Sequence, residues 1–258
     1  RYNELEEQAT YGFAPDSSFP LIYAEKGLLQ AKLTGPGTDE LSLEIGNAYN
    51  VVPARAAYKG ELLESIKAEL DKLGFEYVIK EDTLTVYGLA QHAKDAPHGI
   101  NALVRLAKAL RPYTENKTID FLANCVDEDG KGLNIFGLTL SKALTEVRLD
   151  IRIPVLADKD ELVKQLSEKA KAYGLTYEEF DYLAPLYVPI DSELVTTLMD
   201  VYQEKTGDQS PALSSGGATF ARTMPNCVAF GALFPDSIQT EHQENENIVL
   251  EDAYKAMD

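Results

Sequence analysis

ALTEVRLDIRIPVLADKDELVKQLSEKAKAYGLTYEEFDYLAPLYV, Ala143 to Val188, is the stretch that decides the fold. Its first third alternates apolar and polar residues, the period of a half-buried strand. The middle third opens on acidic residues and stops at Gly174, the start and stop chemistry of a helix. The last third reads as a second strand. Earlier in the chain the order recurs. LLQAKLTG and LSLEIG alternate as strands about a GPGTDE turn, and a helix follows with Leu62, Leu63, Ile66, Leu70 and Leu73 on one face, ended by Gly74. FEYVIKEDTLTVYGLA then reads as a hairpin turning at Glu81 and Asp82. Strand-strand-helix-strand thus appears twice, which predicts two α+β units side by side on one sheet.

Outside this doubled core, GINALVRLAKALRPY predicts an amphipathic helix stopped at Pro112. SELVTTLMDVYQEKTG predicts another, with a serine cap and a terminal glycine. RYNELEEQ and VLEDAYKAMD read as short helices at the two ends, so the chain opens inside an element and reads as a piece of something longer.

Composition sets the bounds. With 258 residues, 45% of them hydrophobic, the chain can bury a core of one large or two smaller domains. Its net charge of −18 disfavours nucleic acid and anionic membranes as partners. Two distant cysteines, Cys125 and Cys227, make neither a zinc knuckle nor a disulfide framework, and a reducing cytoplasm fits. No apolar run approaches the ~18 residues of a membrane span, and no signal peptide is seen. There is no G-x-S-x-G, no P-loop and no G-x-G-x-x-G before a helix, so serine hydrolase and nucleotide readings lack support.

Chemistry-bearing residues concentrate in Ser214 to Glu246, SSGGATFARTMPNCVAFGALFPDSIQTEHQENE. The turn at Ser215, Gly216 and Gly217 offers backbone amides to an anion or is a plain tight turn. His242, among carboxylates and amides, is a zinc-ligand candidate or a surface residue. Asp16, after a proline turn in GFAPDSSFP, reads alone as a cap or Asx-turn residue. His92 lies between a strand and a helix start, where it polarises a carbonyl or is structural, and His98 reads as a cap or surface residue. Arg152 sits on an apolar alternating strand, where a guanidinium faces solvent or holds an anion bidentately.

The order of the pieces carries a resemblance. GFAPD, FPLIYAEKG, NAYNVVPARA, GLAQHA, GINA, LDIRIP, APLYVP, SELVTTLMDVYQEKTG, SSGGATFAR, VAFGALFP and EHQENE follow one another along the whole chain. In this series the chain resembles the bacterial V-type dipeptidases (PepV-like, Xaa-His dipeptidases) of the zinc aminoacylase and carnosinase superfamily. The resemblance implies an α/β fold in which a zinc-peptidase catalytic domain is interrupted by a lid of two α+β, ferredoxin-like halves. It implies catalytic-domain segments at 1–26 and 184–258 and a lid at 27–183, with hinges near Gly27 and Ala184-Pro185. It further implies a cytoplasmic monomer that hydrolyses dipeptides through water activated by two zinc ions, with manganese or cobalt as alternatives. By the same resemblance Asp16 and His242 are ligands of the two zinc ions and His92 stabilises the oxyanion. Arg152 holds the dipeptide carboxylate, and Asn50, Gly216 and Gly217 add substrate contacts.

One departure is large. The family's His-x-Asp ligand pair is missing, since Lys94, Ile100 and Glu244 stand two residues after His92, His98 and His242. The pairs Glu6-Glu7 and Glu178-Glu179 lack the flanks of the family's Glu-Glu that gives base and ligand. The expectation is therefore a chain without the N-terminal catalytic half, inactive alone and binding zinc weakly or not at all. The alternative is a non-catalytic module that binds a carboxylate ligand on the same fold. A third reading is a relative acting on acylated amino acids or tripeptides.

Overall fold

A computed structural model describes residues 5–46, 48–124, 133–238, 240 and 245–258. These form two compact units, Arg1–Gly27 with Ala184–Asp258, and Leu28–Leu183. The fold is mixed α/β, as the alternating patterns require.

In the first unit, strands β1 (Gly12–Ala14), β3 (Ile22–Glu25), β12 (Leu186–Tyr187), β13 (Leu213–Ser215) and β14 (Cys227–Ala229) make one small sheet. β2 (Ser17–Ser18) and β15 (Ala232–Leu233) pair separately. β1 runs parallel to β14, and β3 is antiparallel to both β14 and β12 while β13 joins it in parallel. Helix α5 (Glu193–Thr206) supplies Leu194, Val195 and Met199 to the core with Leu21, Ile22, Val228 and Ala229. Its ends follow the sequence: Ser192 accepts from the Val195 N–H, and Gly207 takes a left-handed φ of 73°. Beside this core Phe19 stacks on Tyr202 at 5.3 Å and packs with Phe234. The terminal helix α6 (Leu250–Met257) closes the unit.

In the second unit a five-stranded sheet has the order β11-β4-β10-β9-β5. Its strands are β4 (Gly27–Gly35), β5 (Leu43–Gly46), β9 (Leu133–Leu140), β10 (Thr145–Ile153) and β11 (Thr176–Leu183). A separate three-stranded sheet, β6 (Arg55–Tyr58), β8 (Thr83–Tyr87) and β7 (Tyr77–Lys80), carries the hairpin read from the sequence. The doubled element order therefore does not share one sheet. β4 and β5 both join the sheet of β9 and β10, leaving the hairpin to pair with β6. The hairpin turns at Glu81 with φ 54°.

Helices α1 (Leu63–Leu73), α2 (Ala102–Leu110), α3 (Lys117–Asn124) and α4 (Lys159–Ala172) complete this unit. Ile66 and Leu70 of α1 are fully buried and Gly74 ends the helix at φ 68°. α2 buries Leu103, Leu106 and Leu110 and is capped by Asn101, whose side chain accepts from the N–H groups of Leu103 and Val104. One continuous core joins these helices to both sheets. Among the described residues no helix is long and apolar enough to cross a membrane. Residues 1–4 of the helix read from RYNELEEQ lie outside the described residues, and residues 6–8 are not helical.

β6, α3 and β9 are not anticipated by the sequence reading. β9, LNIFGLTL, lies inside the sheet and is buried along nearly its whole length, so it shows an apolar run rather than alternation. β6 is four residues long and merges into the helical reading that follows it.

Candidate functional site

In the second unit the candidate residues are gathered around strand β10 of the five-stranded sheet. Along β10, Val147, Leu149, Ile151 and Ile153 enter the core, which turns Asp150 and Arg152 to the opposite face. Both are nonetheless buried, Asp150 completely and Arg152 to 3% exposure. Arg152 Nε donates to Asp150 Oδ1 at 2.8 Å and Nη2 to Oδ2 at 3.5 Å. Burial pushes the Asp150 carboxyl above the usual carboxylate range, opposed by the Arg152 guanidinium and a hydrogen bond from Gln30. The carboxylate thus fixes the plane of the guanidinium from the side.

Asp150 lies opposite Asn134 in the β9 register. Asn134 is 1% exposed, and its Nδ2 donates to the carbonyls of Tyr49 and Val51, both at 3.1 Å. Two carbonyl acceptors fix which end of the amide is the nitrogen. The Asn134 side chain thereby straddles Asn50, which is half-buried. Asn50 in turn is joined to His92: Val51 bridges His92 antiparallel, and the Ala93 N–H donates to the Asn50 carbonyl at 2.8 Å. His92 is half-buried and caps the 3-10 turn Ala93–His98, its Nδ1 accepting from the Lys94 N–H at 3.0 Å. That turn packs against β9 and β10. Asn50, His92 and Arg152 are therefore gathered within one unit through Asn134 and Asp150.

In the first unit the SSGGATFAR segment forms a second polar cluster. The Gly217 N–H donates to Ser215 Oγ at 3.0 Å, and its carbonyl accepts from Arg222 Nη2 at 3.0 Å. Both backbone groups of Gly217 are thus used within the segment. Asp16 is exposed in the link between β1 and β2. His242 lies outside the described residues.

Among the described residues no group of three or more His, Cys, Asp or Glu side chains could hold a metal ion. Asp16 is the one ligand candidate that can be placed, and it is exposed. Asp150, Asn134 and Glu25 are polar, buried and unforeseen, and the side chain of Arg222, the isolated arginine of SSGGATFAR, is 4% exposed. The available signals were a carboxylate two residues before Arg152 on one strand face, and a lone arginine after the glycine pair.

No protein-family model matches the chain. It is similar over 99% of its length to a Staphylococcus haemolyticus protein named "Putative dipeptidase SH1171", at 30% identity, and to one of Bacillus subtilis strain 168 named "Putative dipeptidase YtjP", at 33%. It spans 63% of the length of each. Among solved structures, 97% of the chain superposes on 65% of an aminoacylhistidine dipeptidase from Vibrio alginolyticus, with a TM-score of 0.53 and 13% identity, which shows a shared fold. In sequence the chain is thus a homologue of bacterial proteins named as dipeptidases, and in fold it matches a dipeptidase of known structure.

Proposed function

We propose that this chain forms the substrate-holding part of a metallo-dipeptidase that cleaves dipeptides bearing a free C-terminal carboxylate. The observation that carries the reading is the Asp150–Arg152 pair, buried in the same unit as Asn50 and His92. A guanidinium oriented by a buried carboxylate selects a second, substrate carboxylate by charge and by plane. A peptide longer by one residue sets that charge farther from the scissile bond. His92, held by its turn, is the donor proposed for the oxyanion that forms as the peptide carbonyl is attacked. Gly216 and Gly217 let the substrate backbone approach closely.

The family resemblance assigns the activation of water to two zinc ions, or manganese or cobalt, with Asp16 and His242 among their ligands. Among the described residues no such site forms. We place the chain in the cytoplasm as part of a monomer, with residues 1–26 and 184–258 in the catalytic domain and residues 27–183 as its lid.

The test is hydrolysis by the full-length protein of a panel of dipeptides, their C-terminal amides and tripeptides, with and without chelator. Chelator-sensitive cleavage of free dipeptides alone supports the reading. Cleavage of amides at equal kcat/KM sinks it. His92→Ala is expected to lower kcat about 10²-fold or more, as removal of an oxyanion donor does; a change in KM alone contradicts its role. Binding of dipeptides with no turnover favours the alternative, a carboxylate-binding module.

A further inference from the structure

Glu25 and Arg222 form a buried ion pair that the proposed reaction does not use. Glu25 ends β3 and is completely buried; the Arg222 side chain is 4% exposed. Arg222 Nε donates to Glu25 Oε2 at 2.9 Å. Its other nitrogens reach three carbonyls: Nη1 to Ala184 at 2.8 Å, and Nη2 to Lys26 and Gly217, both at 3.0 Å. Thr219 holds the carboxylate from the other side, its Oγ1 donating to Oε1 at 2.6 Å and its N–H to Oε2 at 3.1 Å.

Those three carbonyls are the informative part. The chain leaves the first unit after Gly27 and returns at Ala184, so Lys26 and Ala184 stand at the two crossings. Gly217 belongs to the glycine turn. One planar guanidinium therefore ties the turn to both crossings, and the crossings to each other. A buried pair is weak evidence for stability in itself, because an apolar pair of equal volume is often as stable. What a fork of fixed donors adds is geometry: four acceptors from three stretches of the chain must hold one arrangement together.

We propose that Arg222 is a positioning residue that couples the 215–219 glycine turn to the two chain crossings, with Glu25 setting the plane of its guanidinium. Movement at the crossings is then felt at the turn, and occupancy of the turn is felt at the crossings. The structural coupling stands on the hydrogen bonds alone; its kinetic consequence rests on the dipeptidase reading.

The test is amide hydrogen exchange of the full-length protein with Arg222→Lys and Glu25→Gln. A lysine cannot serve four acceptors in a plane, and a glutamine loses the charge that orients the fork. Arg222→Lys is expected to speed exchange about tenfold or more at 24–27, 184–187 and 213–219 together, the scale of losing one charge-assisted hydrogen bond. β14 and α5 in the same unit should be unchanged. Glu25→Gln should loosen the same three segments together, and it decides the matter if Arg222→Lys does not fold. Faster exchange in the turn alone, a uniform rise across the unit, or no change overturns the coupling. In the kinetic arm Arg222→Lys should raise KM for dipeptides more than it lowers kcat. Equal loss in both contradicts a positioning role. Should wild-type protein cleave no dipeptide, the dipeptidase reading falls while the exchange result still decides the coupling.

Discussion

Asp150 shows how a single buried carboxylate defines its neighbour. Desolvation raises its proton affinity, and the Arg152 charge and the Gln30 hydrogen bond work against that. Neither partner is comfortable alone. Asp150→Ala leaves the guanidinium buried without its carboxylate, an arrangement that costs about 3–5 kcal/mol. Asp150→Asn keeps one oxygen acceptor and should cost less. Chemical denaturation of the two variants checks this, and equal stability of Asp150→Ala and wild type would show that the pair is not what holds Arg152. Arg152 was visible in the sequence as a cation on an apolar strand, with solvent and anion both open. What settled its surroundings was Asp150, two residues away on the same face, whose burial no local pattern announces. Asn134 was invisible for a different reason: its partners, Tyr49 and Val51, lie more than eighty positions away.

Elements were legible where amphipathic period and end signals agreed. α1 with Gly74, α5 with Ser192 and Gly207, and the hairpin at Glu81 all formed where their residues place them. β9 was missed because burial on both faces erases alternation, and its pairing with β10 slips between Arg148 and Leu149, leaving Phe136 out of register. Gly137, beside that slip, has a physical task. A Cβ there would sit 2.4 Å from Arg148 Nε, so glycine lets the guanidinium lie flat on the sheet. From that position Arg148 Nη2 donates to Glu44 Oε1 at 3.2 Å and to the Ile45 carbonyl at 3.1 Å, tying β10 to β5. Gly137→Ala should displace Arg148 and destabilise the protein by about 1–3 kcal/mol, the range for overpacking. Arg148→Ala in the Gly137→Ala background should then cost little more. Additive losses would show that the two residues do not share a site.

At the scale of the whole molecule, the chain is a doubly crossed insertion: one unit is opened after Gly27 and resumed at Ala184, with the other unit between. Pro185 follows the return crossing, and with no N–H to give it ends the ladder of β11 before β12 begins. The candidate substrate residues fall in both units, Asn50, His92 and Arg152 in one, Gly216 and Gly217 in the other. The same 258 residues made alone are expected to show no chelator-sensitive dipeptide hydrolysis, since they carry no His-x-Asp pair. Robust turnover by this chain would contradict that. The central claim, that a buried Arg152 reads a free carboxylate, has one direct measurement. It is the ratio of kcat/KM for a dipeptide to that for its C-terminal amide, in the full-length protein and in Arg152→Ala. Loss of a charge-assisted bidentate contact should raise KM for the free dipeptide by the equivalent of about 1.5–3 kcal/mol and collapse the ratio toward one. A ratio that survives the substitution unchanged would contradict the account.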